Sequence, residues 1–81
     1  MTAKYQPSEQ TLKMIQGMFT FHPVQGDQAE RYAAIRAKAL ELAMCIAENT
    51  PHSREQTLAL REIHLGNMLA NAAIAINEAD E

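Results

Sequence analysis

The residues with the clearest chemistry lie in the stretch "NTPHSREQTLAL", where Arg54 directly follows Ser53 at a predicted helix start. The first backbone N–H groups of a helix have no helical partners and lie at the positive end of its dipole, so they favour an anion such as phosphate. Arg54 adds a guanidinium that can donate two parallel hydrogen bonds to phosphate oxygens. The Ser53 hydroxyl could donate another at the expense of its capping role. On residue chemistry alone, the simpler interpretation is favoured, in which Arg54 is solvated or pairs with Glu48 or Glu55.

A second group of candidate ligands lies near the N-terminus, where Lys4, Tyr5 and Lys13 combine one ring and two cations. If the first helix folds back, Tyr5 could stack on a base while a lysine contacts a phosphate. Arg31 and Tyr32 form a second pair of the same type. By composition alone, a solvated surface remains the more economical interpretation of both groups.

Catalysis has little support, because it requires a nucleophile with a base, a carboxylate pair or a metal. His22, His52 and His64 lack any catalytic or metal-binding spacing. The single cysteine, Cys45, excludes an intramolecular disulfide and a zinc site of the cysteine-rich type. We therefore expect a protein that is not an enzyme, with no catalytic residues, no metal and no cofactor. Cys45 lies in an apolar helical run, where we expect it to be buried.

Three helices of a single domain, residues 1–81, must position these side chains. The predicted helices cover about residues 8–18, 28–49 and 54–78, and a breaker-rich linker covers residues 19–27. The short connection between the second and third helices favours an antiparallel hairpin. We expect Phe19 and Phe21 to anchor the linker to the core.

Capping residues support these helix starts. Ser8 is the predicted N-cap of the first helix. Asp27 with Glu30, and Ser53 with Gln56, have the three-residue spacing of a capping box at the second and third helices. Helix capping therefore explains part of the polar character of the Ser53 corner without any ligand.

The third helix is apolar over more of its circumference than one partner helix can cover. Its large apolar residues are Leu58, Leu60, Ile63, Leu65, Met68, Leu69, Ile74 and Ile76. Because a chain of 81 residues also buries only a modest fraction of its surface alone, we expect an all-α fold that assembles into a homo-oligomer. Asn67 and Asn71 lie four residues apart in this apolar run, where buried amides need partners. They would fix the register across an interface or, less favoured, face a ligand.

Charge and hydropathy restrict the partners. Seven Lys and Arg against ten Asp and Glu give a net charge of −3, which argues against binding to a DNA or RNA duplex. No apolar stretch approaches the roughly 20 residues of a membrane-spanning helix, and the start "MTAKYQPSEQ" lacks the apolar region of a signal peptide. We expect a cytoplasmic protein with no membrane partner.

Three stretches of the chain, "FTFHPVQGDQAERYAAIRAKA", "PHSREQTLAL" and "NMLANAAIAINE", resemble a family of small phage proteins. These are the anti-CBASS cyclic-oligonucleotide sponges, whose helical hairpin is shared with the anti-Thoeris sponges. The resemblance covers roughly residues 19–78 and implies a homohexamer that holds cyclic dinucleotides or cyclic trinucleotides between protomers, unchanged. Such immune evasion starves the bacterial defence effector of its messenger.

The resemblance also implies roles for the candidate residues. Arg54 resembles the phosphate-binding arginine of the "SREQ" corner, with Ser53 beside it. Tyr5 would supply the stacking ring, and its lysine partner is Lys4, Lys13 or neither. Gln25 stands at a linker position where relatives can carry a basic residue, a departure that would shift specificity from a dinucleotide toward a trinucleotide or another cyclic nucleotide. The alternatives are a small helical oligomeric adaptor that binds a host protein through its apolar face, and an enzyme that cleaves the messenger.

Overall fold

The protein is described by a computed structural model that covers residues 3–79. Within that range it has three helices and no strand: α1 spans Glu9–Phe19, α2 spans Gln28–Asn49 and α3 spans Arg54–Asn77. The all-α class predicted from the sequence is confirmed. The predicted domain limits at residues 1 and 81 lie outside the described residues.

Serine caps begin both α1 and α3. Ser8 Oγ accepts a hydrogen bond from the Thr11 backbone N–H at 3.0 Å, and Ser53 Oγ accepts one from the Gln56 N–H at 3.1 Å. The second half of the predicted capping box at α3 is wrong. The Gln56 Nε2 group donates instead to the carbonyl and hydroxyl oxygens of Thr50, at 3.1 and 3.0 Å. Thr50 offers two acceptors at the end of α2, so Gln56 closes the corner between the helices.

The predicted capping box at α2 is wrong in both of its bonds. Asp27 has a ψ of 10° and makes no side-chain cap bond, because this ψ is far from the extended geometry in which a cap side chain turns back to the helix N–H groups. Its carboxylate accepts from Arg31 Nε at 3.1 Å, and Glu30 makes no side-chain hydrogen bond within residues 3–79. The turn before α2 is closed by Gln28, whose Oε1 accepts from the Gln25 N–H at 2.9 Å.

The hairpin of α2 and α3 packs through a seam that mixes large apolar side chains with alanines and two asparagines. The partly buried residues of α2 include Ile35, Ala39, Ala43 and Ile46, and those of α3 include Leu60, Ile63, Asn67, Ala70, Asn71 and Ile74. Alanines permit close approach of the helices but contribute little apolar area. Within residues 3–79 no apolar side chain is buried, and Gln28 alone is.

The short helix α1 approaches α3 near its C-terminal end. Gly17 comes so close to α3 that a Cβ atom at this position would lie 2.9 Å from Ile76 Cγ2. The predicted anchoring role of Phe19 and Phe21 is wrong, because their side chains are 80% and 83% exposed. The prediction that Cys45 is buried is also wrong for the single chain. These errors have one cause, which is that residues 3–79 form no fully buried apolar core for such side chains to enter.

The protomer is far more open than a compact chain of its size. Its accessible surface is 6934 Å², about 2,000 Å² more than the scaling law gives for a compact 9.0 kDa monomer. Its radius of gyration is 17.3 Å, against about 12 Å for a compact chain of this length. The exposed large apolar side chains include Leu12, Ile15, Met18, Leu40, Leu42, Met44, Leu58, Leu65, Met68 and Leu69. An area typical of protein interfaces is thus uncovered.

Candidate functional site

Arg54 is the first residue of α3, and its side chain is exposed. Within residues 3–79 it has no hydrogen bond or ion pair, so the alternative in which it pairs with Glu48 or Glu55 is not seen. The Ser53 cap turns the chain so that Arg54 and the first free N–H groups of α3 stand together at the positive end of the helix dipole. This corner has the donors and the charge that a phosphate group requires.

The Ser53 hydroxyl is engaged on both sides. It accepts from the Gln56 N–H and donates to the Pro51 carbonyl oxygen at 3.0 Å. A ligand oxygen could take the place of the Pro51 carbonyl as acceptor, while the bond that caps α3 is kept. Contact with an anion therefore need not cost the cap, which the sequence alone did not reveal.

Helical spacing places Arg54 on the same face of α3 as three exposed leucines, which we call the outer stripe. Leu58, Leu65 and Leu69 are 38%, 46% and 60% exposed, and they lie on the side of α3 that faces away from the seam with α2. Arg54 precedes Leu58 by one turn. Any molecule that covers the outer stripe therefore also approaches the Arg54 guanidinium.

The N-terminal candidates divide into two places. Lys4 Nζ lies 5.6 Å from the centroid of the Tyr5 ring, within the range of a cation–π contact, and the Tyr5 side chain is 77% exposed. Lys13 is on α1, where it lines a cavity of about 380 Å³ between α1 and the end of α3 that also includes Gln16, Gly17, Thr20, His22 and Ile76. The structure thus brings Lys4 and Tyr5 together and puts Lys13 beside a different feature.

A polar cluster that the sequence analysis missed joins the start of α2 to the end of α3. The Arg31 guanidinium donates to both carboxylate oxygens of Glu78, with Nη1 to Oε2 at 2.8 Å, and its Nε donates to Asp27. Buried Gln28 donates to Glu78 Oε1 at 3.1 Å. The hydrogen bonds from Arg31 and Gln28 lower the pKa of Glu78 to about 2, and the bond to Glu78 raises the pKa of Arg31.

This engagement argues against the predicted use of Arg31, with Tyr32, as a nucleotide contact. The cavity beside it, of about 260 Å³, contains two carboxylates, Asp27 and Glu78, for one guanidinium, so it does not favour an anion. The predicted antiparallel hairpin could have indicated this ion pair, because it puts an arginine near the start of α2 opposite a glutamate at the end of α3.

Asn67 and Asn71 lie in the seam, and their Oδ1 atoms are buried without a hydrogen-bond partner within residues 3–79. Asn67 also lines a cleft of about 210 Å³ between α2 and α3, together with Arg36 and His64. The predicted requirement of these amides for partners is thus not met inside the protomer.

Metal-binding and membrane-spanning features are not found among the described residues. No group of three or more His, Cys, Asp or Glu side chains in residues 3–79 is arranged to hold a metal ion. In the same part of the chain, no helix combines the length and the apolar character needed to cross a membrane.

Comparison with known proteins gives one match. A family model described as "Acb2/Tad1, hairpin domain" matches residues 14–75, which is more than half of the chain. The matched range begins within α1 and includes all of α2, the Arg54 corner and α3 up to residue 75, but it excludes Lys4, Tyr5 and Lys13. No curated protein and no solved structure matches the chain significantly.

Proposed function

Because the chain belongs to the Acb2/Tad1 hairpin family, that of the anti-CBASS and anti-Thoeris sponges, we propose that it sequesters cyclic oligonucleotide second messengers. The family binds cyclic oligonucleotides and is not a catalytic family. The ligands would be cyclic dinucleotides, cyclic trinucleotides or both, held unchanged. Sequestration would block CBASS-type immunity in the cytoplasm of a phage-infected bacterium.

Self-association into a homo-oligomer, a hexamer by analogy with the family, is the second part of the proposal. It is supported by the absence of a buried apolar residue within residues 3–79 and by the excess of about 2,000 Å² of exposed surface over a compact monomer. A stable interface buries about 800 Å² on each partner, so the excess is enough for more than one neighbour.

The single observation that carries the ligand assignment is the Arg54 guanidinium at the start of α3, which has no partner within residues 3–79 and lies on the same face as the outer stripe. A closed symmetric assembly presents each side chain as a ring of equivalent copies. Several Arg54 groups would then converge on the phosphates of one cyclic anion, with Ser53 as an additional donor. A single protomer offers only one such group.

The exposed Tyr5 ring would stack on a base, and Lys4, which lies beside this ring, would contact a phosphate. Lys13, on the neighbouring helix, is the other lysine for this role. Gln25 in the linker would supply an amide in place of a cation, which would shift specificity from a dinucleotide toward a trinucleotide or another cyclic nucleotide.

The test compares Arg54→Ala with Arg36→Ala, a matched control that removes the same charge from an exposed position on α2. Binding of a panel of cyclic di- and trinucleotides is measured by calorimetry, and assembly is checked by native mass spectrometry. We expect Arg54→Ala to weaken at least one ligand class by about 10- to 100-fold, the effect of losing a charge-assisted hydrogen bond, without changing the assembly mass. Equal affinities of Arg54→Ala and wild type for the whole panel would remove Arg54 from the site.

The same complexes distinguish the alternatives. Ligand released by heat should be recovered intact, and recovery of a linear product would identify an enzyme. The adaptor alternative is favoured by the exposed Leu40 and Met44 on α2, which are 63% and 52% exposed. Failure of the wild-type protein to retain any cyclic nucleotide would support that alternative.

A further inference from the structure

The helix α1 faces α3 with a glycine rather than with its apolar side chains. Gly17 is the point of closest approach to Ile76. Leu12 and Ile15 lie on the other side of α1 by helical spacing and are 45% and 42% exposed. A helix whose apolar face points away from its own chain is one that lacks a partner.

The outer stripe of α3 lacks a partner for a related reason. Within the described residues, Gly17 of α1 approaches α3 at Ile76, near the C-terminal end of α3, and Leu58, Leu65 and Leu69 remain exposed. The two bare surfaces cannot meet within one chain in this arrangement, because the Gly17 contact holds the apolar face of α1 away from α3.

The two surfaces match in length. α1 has 11 residues, which corresponds to a helix of about 16 Å. Leu58 and Leu69 are separated along α3 by about the same distance. Pairing of α1 with α1, or of α3 with α3, would leave the other surface bare, whereas pairing α1 with α3 covers both kinds of surface with one type of contact.

We propose that the apolar face of α1 from one copy packs on the outer stripe of α3 of a second copy. This inference rests on the proposed self-association and names the contact that produces it. It has a consequence for the site, because α1 and the segment before it bear Lys4, Tyr5 and Lys13, and the outer stripe begins one turn after Arg54. The candidate ligand-binding residues of two copies are brought to one junction, so the site is incomplete in a single chain.

Two complementary substitutions test the contact. Ile15→Glu alters the middle of the α1 face, and Leu65→Lys alters the middle of the outer stripe. Both side chains are partly exposed in the protomer, so neither charge enters a protomer core. We expect the mass of each variant alone, measured by sedimentation, to be well below that of the wild-type assembly. Far-UV circular dichroism should still show helix. Gln10→Glu, on the polar side of α1, is the matched control and should assemble as the wild type does.

Mixing the two variants gives the decisive result. In an alternating assembly, every introduced glutamate meets an introduced lysine and every remaining contact is the original one, so an equimolar mixture should recover the wild-type mass. If α1 packs on α1 instead, the mixture does not recover. If α3 packs on α3, Ile15→Glu assembles alone. Either result overturns the proposal.

Disulfide trapping avoids the risk that a charged variant folds poorly. In a Cys45→Ser background, chains with Ile15→Cys and chains with Leu65→Cys are mixed and oxidised, and a disulfide requires Cβ atoms about 4 Å apart. We expect dimers that contain one chain of each kind, identified by mass. Dimers made only of two Ile15→Cys chains or of two Leu65→Cys chains would overturn the proposal.

Wild-type sedimentation separates the two levels of the proposal. A wild-type protein that remains a single chain would contradict the proposed self-association itself. If the wild-type protein assembles and both variants keep its assembly mass, only the contact proposed between α1 and α3 is contradicted.

Discussion

The two arginines near the ends of the hairpin differ in how much of their hydrogen-bonding capacity the chain itself uses. The guanidinium of Arg31 is held by Glu78 and Asp27, whereas that of Arg54 has no partner within residues 3–79. Arg31 therefore stabilises the open end of the hairpin, where the start of α2 meets the end of α3, and Arg54 is available to a ligand. Sequence chemistry identified the Arg54 corner because helix starts are local features, but it also proposed Arg31 as a ligand contact because the residue opposite it is distant in the sequence.

Replacing Glu78 with Gln should reduce the acid sensitivity of the hairpin. Hydrogen bonds from Arg31 and Gln28 lower the pKa of Glu78 from 4.5 to about 2. Because this pKa is lower in the folded chain than in the unfolded one, the stabilisation is complete above a pH of about 4.5 and is lost as the pH falls through about 2.

The thermal midpoint of unfolding is measured by circular dichroism at a series of pH values from neutral down to about pH 2. The difference between wild type and Glu78→Gln should be largest at neutral pH and should shrink on acidification. Glu41→Gln, at an exposed carboxylate paired with Lys38, is the control. A difference that does not depend on pH would show that the Glu78 charge is not what stabilises the hairpin.

At the scale of helices, local signals specify where α1, α2 and α3 form. They do not specify which face of each helix packs against a neighbour. Ser8 and Ser53 cap their helices as their positions predict. The seam between α2 and α3 combines large apolar side chains with alanines and with two amides, Asn67 and Asn71, whose oxygens have no partner within residues 3–79. A polar residue in such a seam specifies register at a cost in stability.

Asn67→Leu should therefore raise the thermal midpoint, because it removes a buried acceptor that has no partner and adds apolar contact. An unpaired buried group costs about 1–3 kcal/mol. We also expect sedimentation of the variant to show more than one species, because the register is less well specified. Thr57→Leu, at an exposed position on the same helix, serves as the control, and a lower midpoint for Asn67→Leu would indicate that a neighbouring copy satisfies the amide.

At the scale of the whole molecule, the protomer exposes apolar surface that a compact monomer of its size would bury. Within residues 3–79 it has no buried apolar side chain, and its radius of gyration of 17.3 Å exceeds by about 5 Å that of a compact chain. Assembly should therefore stabilise the folded chain, because much of the apolar area that would offset the conformational entropy of folding is buried only between copies.

The thermal midpoint of the wild type should accordingly rise with protein concentration. Anything that binds only the folded form stabilises it by mass action, and here the bound species is another copy. Melting curves over about a 100-fold range of concentration, with sedimentation at the same concentrations, give the measurement. A midpoint that is independent of concentration, in a protein that stays monomeric, would show that the open protomer is stable alone.

The amino-acid sequence by itself determined the three helices, the serine caps of α1 and α3, the polar corner at Arg54 and the excess of apolar surface on α3. These features depend on residues within a few positions of one another. Only the tertiary structure decided that Gln56 turns to Thr50, that Arg31 holds Glu78, that Phe19 and Phe21 stay exposed, and that α1 meets α3 through Gly17. The physical reason is that each of these outcomes depends on how separate elements pack, across a separation of six positions for Thr50 and Gln56 and of 47 for Arg31 and Glu78, and no local pattern of residues encodes that packing.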